Sequence, residues 1–132
     1  MEPIHGRCCV YALEYHIVWC VKYRRRVLTP EVEAVLLSVL DSYASANRFT
    51  IAEANTDMDH VHLLIQAPPT VYLPDIMRGM KGVSARMLLR EFPSLKGKLW
   101  GGHMWNPSYF VATVSENTEE QIRHYIQSQK VK

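Results

Sequence analysis

The spacing of hydrophobic positions changes several times along the chain, and each change marks an element. Val10 to Lys22 alternates with a period of two. Tyr15, Ile17, Trp19 and Val21 fall on one face and Glu14, His16, Val18 and Cys20 on the other, which predicts a first strand. Thr29-Pro30-Glu31 then reads as a helix start, with Thr29 as the cap, Pro30 at the first helical position and Glu31 and Glu33 facing the positive end of the helix dipole. Val32, Val35, Leu36, Val39, Leu40 and Tyr43 recur at three- and four-residue steps, which predicts an amphipathic helix to about Asn47. Thr50 to Asn55 and His60 to Ala67 are two β-like runs joined by the polar Thr56-Asp57-Met58-Asp59, a hairpin signature, and Pro68-Pro69 ends the second. From Leu73 to Phe92 a second helix gathers Ile76, Met77, Met80, Val83, Ser84, Met87 and Leu88 into an arc of roughly 140° at 100° per residue. Arg78, Lys81, Arg86 and Arg90 fall on its opposite half. Tyr109 to Val114 predicts a last strand, and Thr118-Glu119-Glu120-Gln121 matches a capping box opening a last helix through Gln129.

The order β-α-β-β-α-β-α predicts an α+β fold: a ferredoxin-like (RRM-like) antiparallel sheet with helices on one face and an added C-terminal helix. Pro93 to Pro107, with Gly97, Gly101, Gly102 and two Trp, carries no readable period and leaves room for a short strand or helix. No internal repeat or low-complexity tract is present, and 132 residues suit one domain.

Composition changes this picture little. With 48% hydrophobic and 21% charged residues the chain is an ordinary globular one, and a formal charge of +2 makes no case for nucleic acid by itself. Where the 15 Lys and Arg lie matters more. Cys8, Cys9 and Cys20 lack C-x-x-C spacing and read as reduced, inert thiols rather than a disulfide frame or zinc knuckle. Neither an apolar leader core nor a run of ~20 apolar residues is present, so the expectation is a cytoplasmic protein with no membrane partner.

Two local patterns could carry chemistry. His60-Val61-His62 heads a strand, where residues i and i+2 share a face about 6–7 Å apart and could share one metal ion. Six histidines in 132 residues also make a chance His-x-His common, so two ordinary half-buried histidines remain open at this point. Tyr125 and Gln129 stand one turn apart on the last helix and put a nucleophile beside an amide. A phenol with a pKa near 10 reacts at neutral pH when a metal polarises the phosphodiester under attack. Packing beside Ile122 and Ile126 is the alternative for Tyr125.

The residues taken together resemble a known family. His60-Val61-His62, between Asp57-Met58-Asp59 and Leu63-Leu64-Ile65, is similar to the motif of the one-tyrosine HUH (His-hydrophobic-His) single-strand DNA transposases of small bacterial and archaeal insertion sequences. Tyr15-His16-Ile17-Val18-Trp19-Cys20-Val21-Lys22-Tyr23-Arg24 resembles the family's first strand, and Met80-Lys81-Gly82-Val83-Ser84-Ala85-Arg86 its second helix. Trp105 to Val114 resembles its late strand, and Gln121 to Gln129 its catalytic helix. The match runs in order over residues 10 to 130. Trp100 to Pro107 departs from the shorter Trp-to-Gly-Tyr form of many members, which leaves the role of His103 open.

The resemblance implies that His60, His62 and Gln129 bind a divalent metal, Mg²⁺ or Mn²⁺, with the softer Zn²⁺ also admitted by two histidines. It implies that Tyr125 attacks the DNA, leaving a 5′-phosphotyrosine and a free 3′-hydroxyl with no nucleotide cofactor. It further implies a homodimer in which the tyrosine helix of one subunit can complete the other's His pair, and single-stranded DNA with imperfect-palindrome hairpins as partner. For binding, Lys22, Tyr23, Arg24, Arg25 and Arg26 form a basic run with an aromatic, and Arg78, Lys81 and Arg86 a positive helix face, a pairing of cations and rings suited to single strands. A solvated helix face is the alternative for the second set. Trp100, Trp105 and Tyr109 could stack on bases, or pack in the core or a dimer interface. The rival functions are a domesticated enzyme acting on repeated palindromes, a non-catalytic single-strand binder, and a hydrolase whose His pair activates water.

Overall fold

The alternation expected of the first strand is realised only from Glu14 onward, because the residues before it pair elsewhere. In the computed structural model, which describes residues 4–5, 10–11, 13–99, 102–114 and 118–129, β1 (Ile4–His5) and β2 (Val10–Tyr11) form their own antiparallel pair. The chain then changes partner and enters the main sheet as β3 (Glu14–Cys20). It leaves that sheet at Cys20 rather than Lys22. Lys22–Arg24 form a tight 3-10 turn in which Tyr23 and Arg24 take φ of 57° and 53°, a left-handed conformation no strand accommodates and one of order 1 kcal/mol or more uphill for each non-glycine residue.

Helix α1 (Pro30–Ala46) starts as its sequence predicts, with Pro30 in the first turn and the Thr29 hydroxyl accepting from the Val32 amide at 3.4 Å. β4 (Thr50–Asp57) and β5 (His60–Gln66) make the expected hairpin, but β4 runs two residues further than the polar composition suggested. Thr56 and Asp57 pair with Val61 and His60, so the turn shrinks to Met58-Asp59. Helix α2 (Leu73–Glu91) follows, then a short α3 (Leu95–Lys98) inside the segment that had no readable period. β6 (Phe110–Thr113) and α4 (Thr118–Ser128) complete the chain. The side chain of Thr118, expected to cap α4, lies outside the described residues.

The main sheet has the order β4-β5-β3-β6 with every neighbour antiparallel, the ferredoxin-like arrangement. One face carries Ile17 and Trp19 from β3 and Val61, Leu63 and Ile65 from β5. It packs under Leu36 and Leu40 of α1 and Ile76, Met77, Met80 and Leu88 of α2, all at most 4% exposed. Trp105 joins this core, its ring edge-on to Trp19 at 5.8 Å and its indole N–H donating to the buried Ser84 hydroxyl at 3.0 Å; of its two expected roles, packing is the one realised. Tyr109 packs partly against the same core, and Trp100 lies outside the described residues. The opposite face is covered by α4, with Val18, Cys20 and Ile122 buried between them. Among the described residues no helix is long and apolar enough to cross a membrane.

α1 and α2 approach closely where Gly79 leaves room for Tyr43, since a Cβ on Gly79 would fall 1.7 Å from the Tyr43 hydroxyl oxygen and 2.3 Å from its ring. Gly79→Ala is therefore expected to lower the unfolding free energy by about 1–3 kcal/mol through overpacking. In a Tyr43→Leu background the same change should be neutral or stabilising by up to ~1 kcal/mol through helix propensity. Urea denaturation of the four proteins checks both signs.

Candidate active site

The pairing of β3 with β5 decides where the two histidines point. Val18 faces His62 and Cys20 faces His60, and directly opposed residues of an antiparallel pair lie on the same side of a sheet. His60 and His62 thus stand on the face away from the main core, half-buried, while Val61 between them points into it. On the other side of β3, Val18 also pairs with Phe110, whose ring stacks on Tyr125 of α4 at 5.9 Å. The His pair and Tyr125 therefore share one face of the sheet.

Each histidine has a partner. Asp59 is buried at 6% exposure, accepts from His60 Nδ1 at 2.9 Å and from Arg24 Nε at 3.1 Å. A carboxylate only accepts, so Nδ1 carries the His60 proton and Nε2 is left as a donor to a metal. Burial alone would raise the Asp59 pKa, but the hydrogen bonds and charges of His60 and Arg24 outweigh it and hold the carboxyl below its usual 3.8. His62 Nε2 lies 3.1 Å from His16 Nδ1, one ring donating and the other accepting. Burial first, and then the charges of His16 and His60, lower the His62 pKa below 6.5, which favours the neutral imidazole that metals bind.

Tyr125 and Gln129 are seated by the loop before β6. The Tyr125 hydroxyl and Ser108 Oγ are 3.0 Å apart, and Gln129 Oε1 accepts from Asn106 Nδ2 at 2.5 Å and Ser108 Oγ at 3.3 Å. Burial raises the Tyr125 pKa above 10, opposed by the Ser108 hydrogen bond, so its resting form is the phenol. Among the described residues no three His, Cys, Asp or Glu side chains gather at metal-binding spacing. The two imidazoles still suit a divalent ion, the remaining positions being left to an amide, water or phosphate oxygens. The Gln129 oxygen would have to exchange its partners in the loop to join them.

Residues 9–129 match the family described as IS200-like transposases. The chain belongs to this family. It is 49% identical over 129 residues to the ISDra2 transposase TnpA of Deinococcus radiodurans, covering 98% of this chain and 92% of that one. The transposase for insertion sequence element IS200 of Salmonella typhimurium is 33% identical over 121 residues, 89% of this chain and 80% of its own. A crystal structure of a Deinococcus radiodurans R1 protein assigned as a transposase superposes with a TM-score of 0.92 at 44% identity over 98% of this chain and 99% of that one. A REP-associated tyrosine transposase bound to a REP hairpin shares the fold, with a TM-score of 0.60 at 14% identity over 98% of this chain and 70% of its own.

The residues expected to hold DNA have different surroundings in this transposase. Arg26, Arg78 and Arg86 are exposed, Arg78 beside Asp75 at 3.8 Å. Lys22 lies half-buried with its ammonium 5.4 Å from the Tyr23 ring centre, and Lys22 and Tyr23 line a cleft with Asn106, Pro107, Ser128 and Gln129. Arg25 is half-buried, and Arg24 is turned inward to Asp59. Lys81 is half-buried and bonded to three backbone carbonyls instead of facing open solvent. The sequence reading passed over Asp59, His16, Asn106 and Ser108. His16 could have been found from the alternation of β3, which puts it on the face of Val18; the other three depend on tertiary contacts.

Cys20 lies beneath the site, fully buried, and burial first, then the Asp59 charge, push its thiol from 9.0 up to about 11. The thiolate is the reactive form and is absent well below that pH. Iodoacetamide at pH 8 is therefore expected to leave Cys20 unmodified in the folded protein, with labelling once urea unfolds it, as read by peptide mass mapping. Native-state labelling at pH 8 would contradict this burial.

Proposed function

We propose that this transposase cuts and rejoins hairpin-bearing single-stranded DNA through Tyr125, with His60 and His62 holding a divalent metal and Gln129 supplying a third ligand. The observation that carries this reading is the register Phe110, Val18, His62 across β6, β3 and β5, which puts the stacked Tyr125 and the imidazole pair on one side of the sheet. The Tyr125 oxygen forms a bond to phosphorus, the bond from phosphorus to the 3′-oxygen breaks, and the phenol proton ends on the released 3′-hydroxyl. The 5′-phosphotyrosine keeps the bond energy, so attack by a second 3′-hydroxyl reverses the step and needs no nucleotide cofactor. A bound Mg²⁺ or Mn²⁺ would supply charge stabilisation at the phosphate. Asp59, fixed by Arg24, holds the His60 ring in the required tautomer. Ser108 opposes the burial that keeps Tyr125 protonated.

The reading extends to the partners. The exposed Arg26, Arg78 and Arg86 and the cleft of Lys22 and Tyr23 suit phosphates and stacked bases. The solved REP-associated transposase bound to a hairpin is in keeping with a hairpin substrate. Residues 1–132 act as one catalytic domain in a cytoplasmic homodimer, in which α4 can serve its own His pair or the partner's.

Tyr125→Phe is expected to abolish the covalent protein–DNA adduct on denaturing gels, and full strand cleavage by that variant would sink the tyrosine mechanism. His60→Ala, or chelation of metal, should slow cleavage at least ~100-fold, the loss of several kcal/mol of charge stabilisation. Hairpin affinity should be largely kept, because it rests on phosphate contacts elsewhere. Asp59→Ala is expected to weaken Mn²⁺ binding by about 10–100-fold in a calorimetric titration of the DNA-free protein.

A further inference from the structure

Lys81 was expected on a positive face of α2, and its half-buried ammonium is taken up by the loop before β6. Nζ donates to the carbonyl oxygens of three successive residues, Asn106 at 2.6 Å, Pro107 at 3.1 Å and Ser108 at 3.2 Å, and sits 5.9 Å from the Tyr109 ring centre. A lysine ammonium has three N–H groups and no acceptor, so these contacts use every donor it has. Two of the three, Asn106 and Ser108, carry the side chains that touch α4: Asn106 on Gln129, and Ser108 on both Tyr125 and Gln129. The loop is tied to the sheet at its start, where the Asn106 amide donates to the Cys20 carbonyl at 2.9 Å. Over the next two residues Lys81 is what orients the peptide planes.

We propose that Lys81 is a positioning residue for the nucleophile: by clamping the carbonyls of residues 106–108 it aims Asn106 and Ser108 at α4 and so fixes where the Tyr125 oxygen and the Gln129 amide stand. Two features favour this over a phosphate contact. Lys81 is half-buried, and all three of its donors already have carbonyl acceptors in the protein. The geometry is also cooperative. One point charge holds three dipoles in a row, so its loss loosens three peptides together rather than one bond. A displacement of about 1 Å at a reacting group is enough to slow chemistry by ~100-fold without a matching loss of binding. The inference rests on the transesterification reading for its effect on rate, but not for its effect on the loop.

Lys81→Met keeps the stem and removes the donors. Its test has three measurements on the full chain: amide hydrogen exchange of segments 104–110 and 118–129 in the free protein, affinity for a fluorescent single-stranded oligonucleotide carrying an imperfect palindrome from beside the gene, and the rate of adduct formation with Mn²⁺ at saturating oligonucleotide. Exchange in both segments should rise at least about tenfold, adduct formation should slow about 10–100-fold, and the dissociation constant should change less than about threefold. Lys81→Arg, which restores a cation with donors, should recover part of the exchange protection. Unchanged exchange in the two segments overturns the proposal, and so does an affinity loss that matches the loss of rate, since that is the behaviour of a phosphate contact. Raised exchange with no adduct even from the unmodified protein leaves the clamp standing and removes the tyrosine reading. Should Lys81→Met fail to fold, Lys81→Gln, which keeps two donors on a shorter stem, is judged by the same criteria.

Discussion

The antiparallel register between β3 and β5 is the constraint on which the site depends. Side chains alternate with a period of two, so sliding one strand by a single residue would turn His60 and His62 into the core and Val61 out toward α4. That slip is opposed by the burial of Ile17, Trp19, Val61, Leu63 and Ile65 on the core face, each contributing about 1.5–3 kcal/mol relative to exposure. The same apolar residues that make the sheet fold therefore decide which way its chemistry points. A hydrophobic alternation on one face is read out as a pair of imidazoles on the other.

A second layer of order comes from charge. The 3-10 turn after β3 is strained at Tyr23 and Arg24, and the strain is held by the bond from Arg24 to Asp59, which in turn orients His60. Burying a carboxylate is favourable only when it is paired and hydrogen-bonded, and Asp59 meets that condition with one cation and one imidazole. The Arg24, Asp59 and His60 chain thus adds an electrostatic tie between the end of β3 and the start of β5, beside the backbone bond from the Val21 amide to the Asp59 carbonyl at 2.9 Å.

Much of the frame was legible because it rests on local rules. The Thr29 cap with Pro30 behind it, the stripe of α1 and the alternation of β3 and β5 each express a preference that neighbouring residues share. The His-hydrophobic-His triplet was visible as a pattern, and chance alone could account for it until the strand register and the whole-chain resemblance stood beside it. What escaped is what requires distant segments to meet. Trp105 was ambiguous because only its bridge to Val21 and its place against Trp19 make it core. The end of β3 was placed two residues late because a left-handed turn at Tyr23 has no signature in side-chain type. Lys81 looked like any surface lysine, since its carbonyl partners lie 25 to 27 residues further on.

The attachment of α4 has a consequence of its own. Of its residues with described side chains, Ile122 is the buried one, at 7% exposure, and the rest of its hold is the Phe110 stack and the hydrogen bonds of Tyr125 and Gln129 to the loop. A ring pair contributes about 0.5–1.5 kcal/mol beyond its buried area and a typical hydrogen bond about as much, so this anchorage is slight beside that of the sheet with α1 and α2. Thermal unfolding will report the sheet and remain blind to the helix. Two variants with one melting temperature can thus differ widely in the fraction of molecules whose Tyr125 is seated, and evolution can tune the placing of this helix without touching the endurance of the fold.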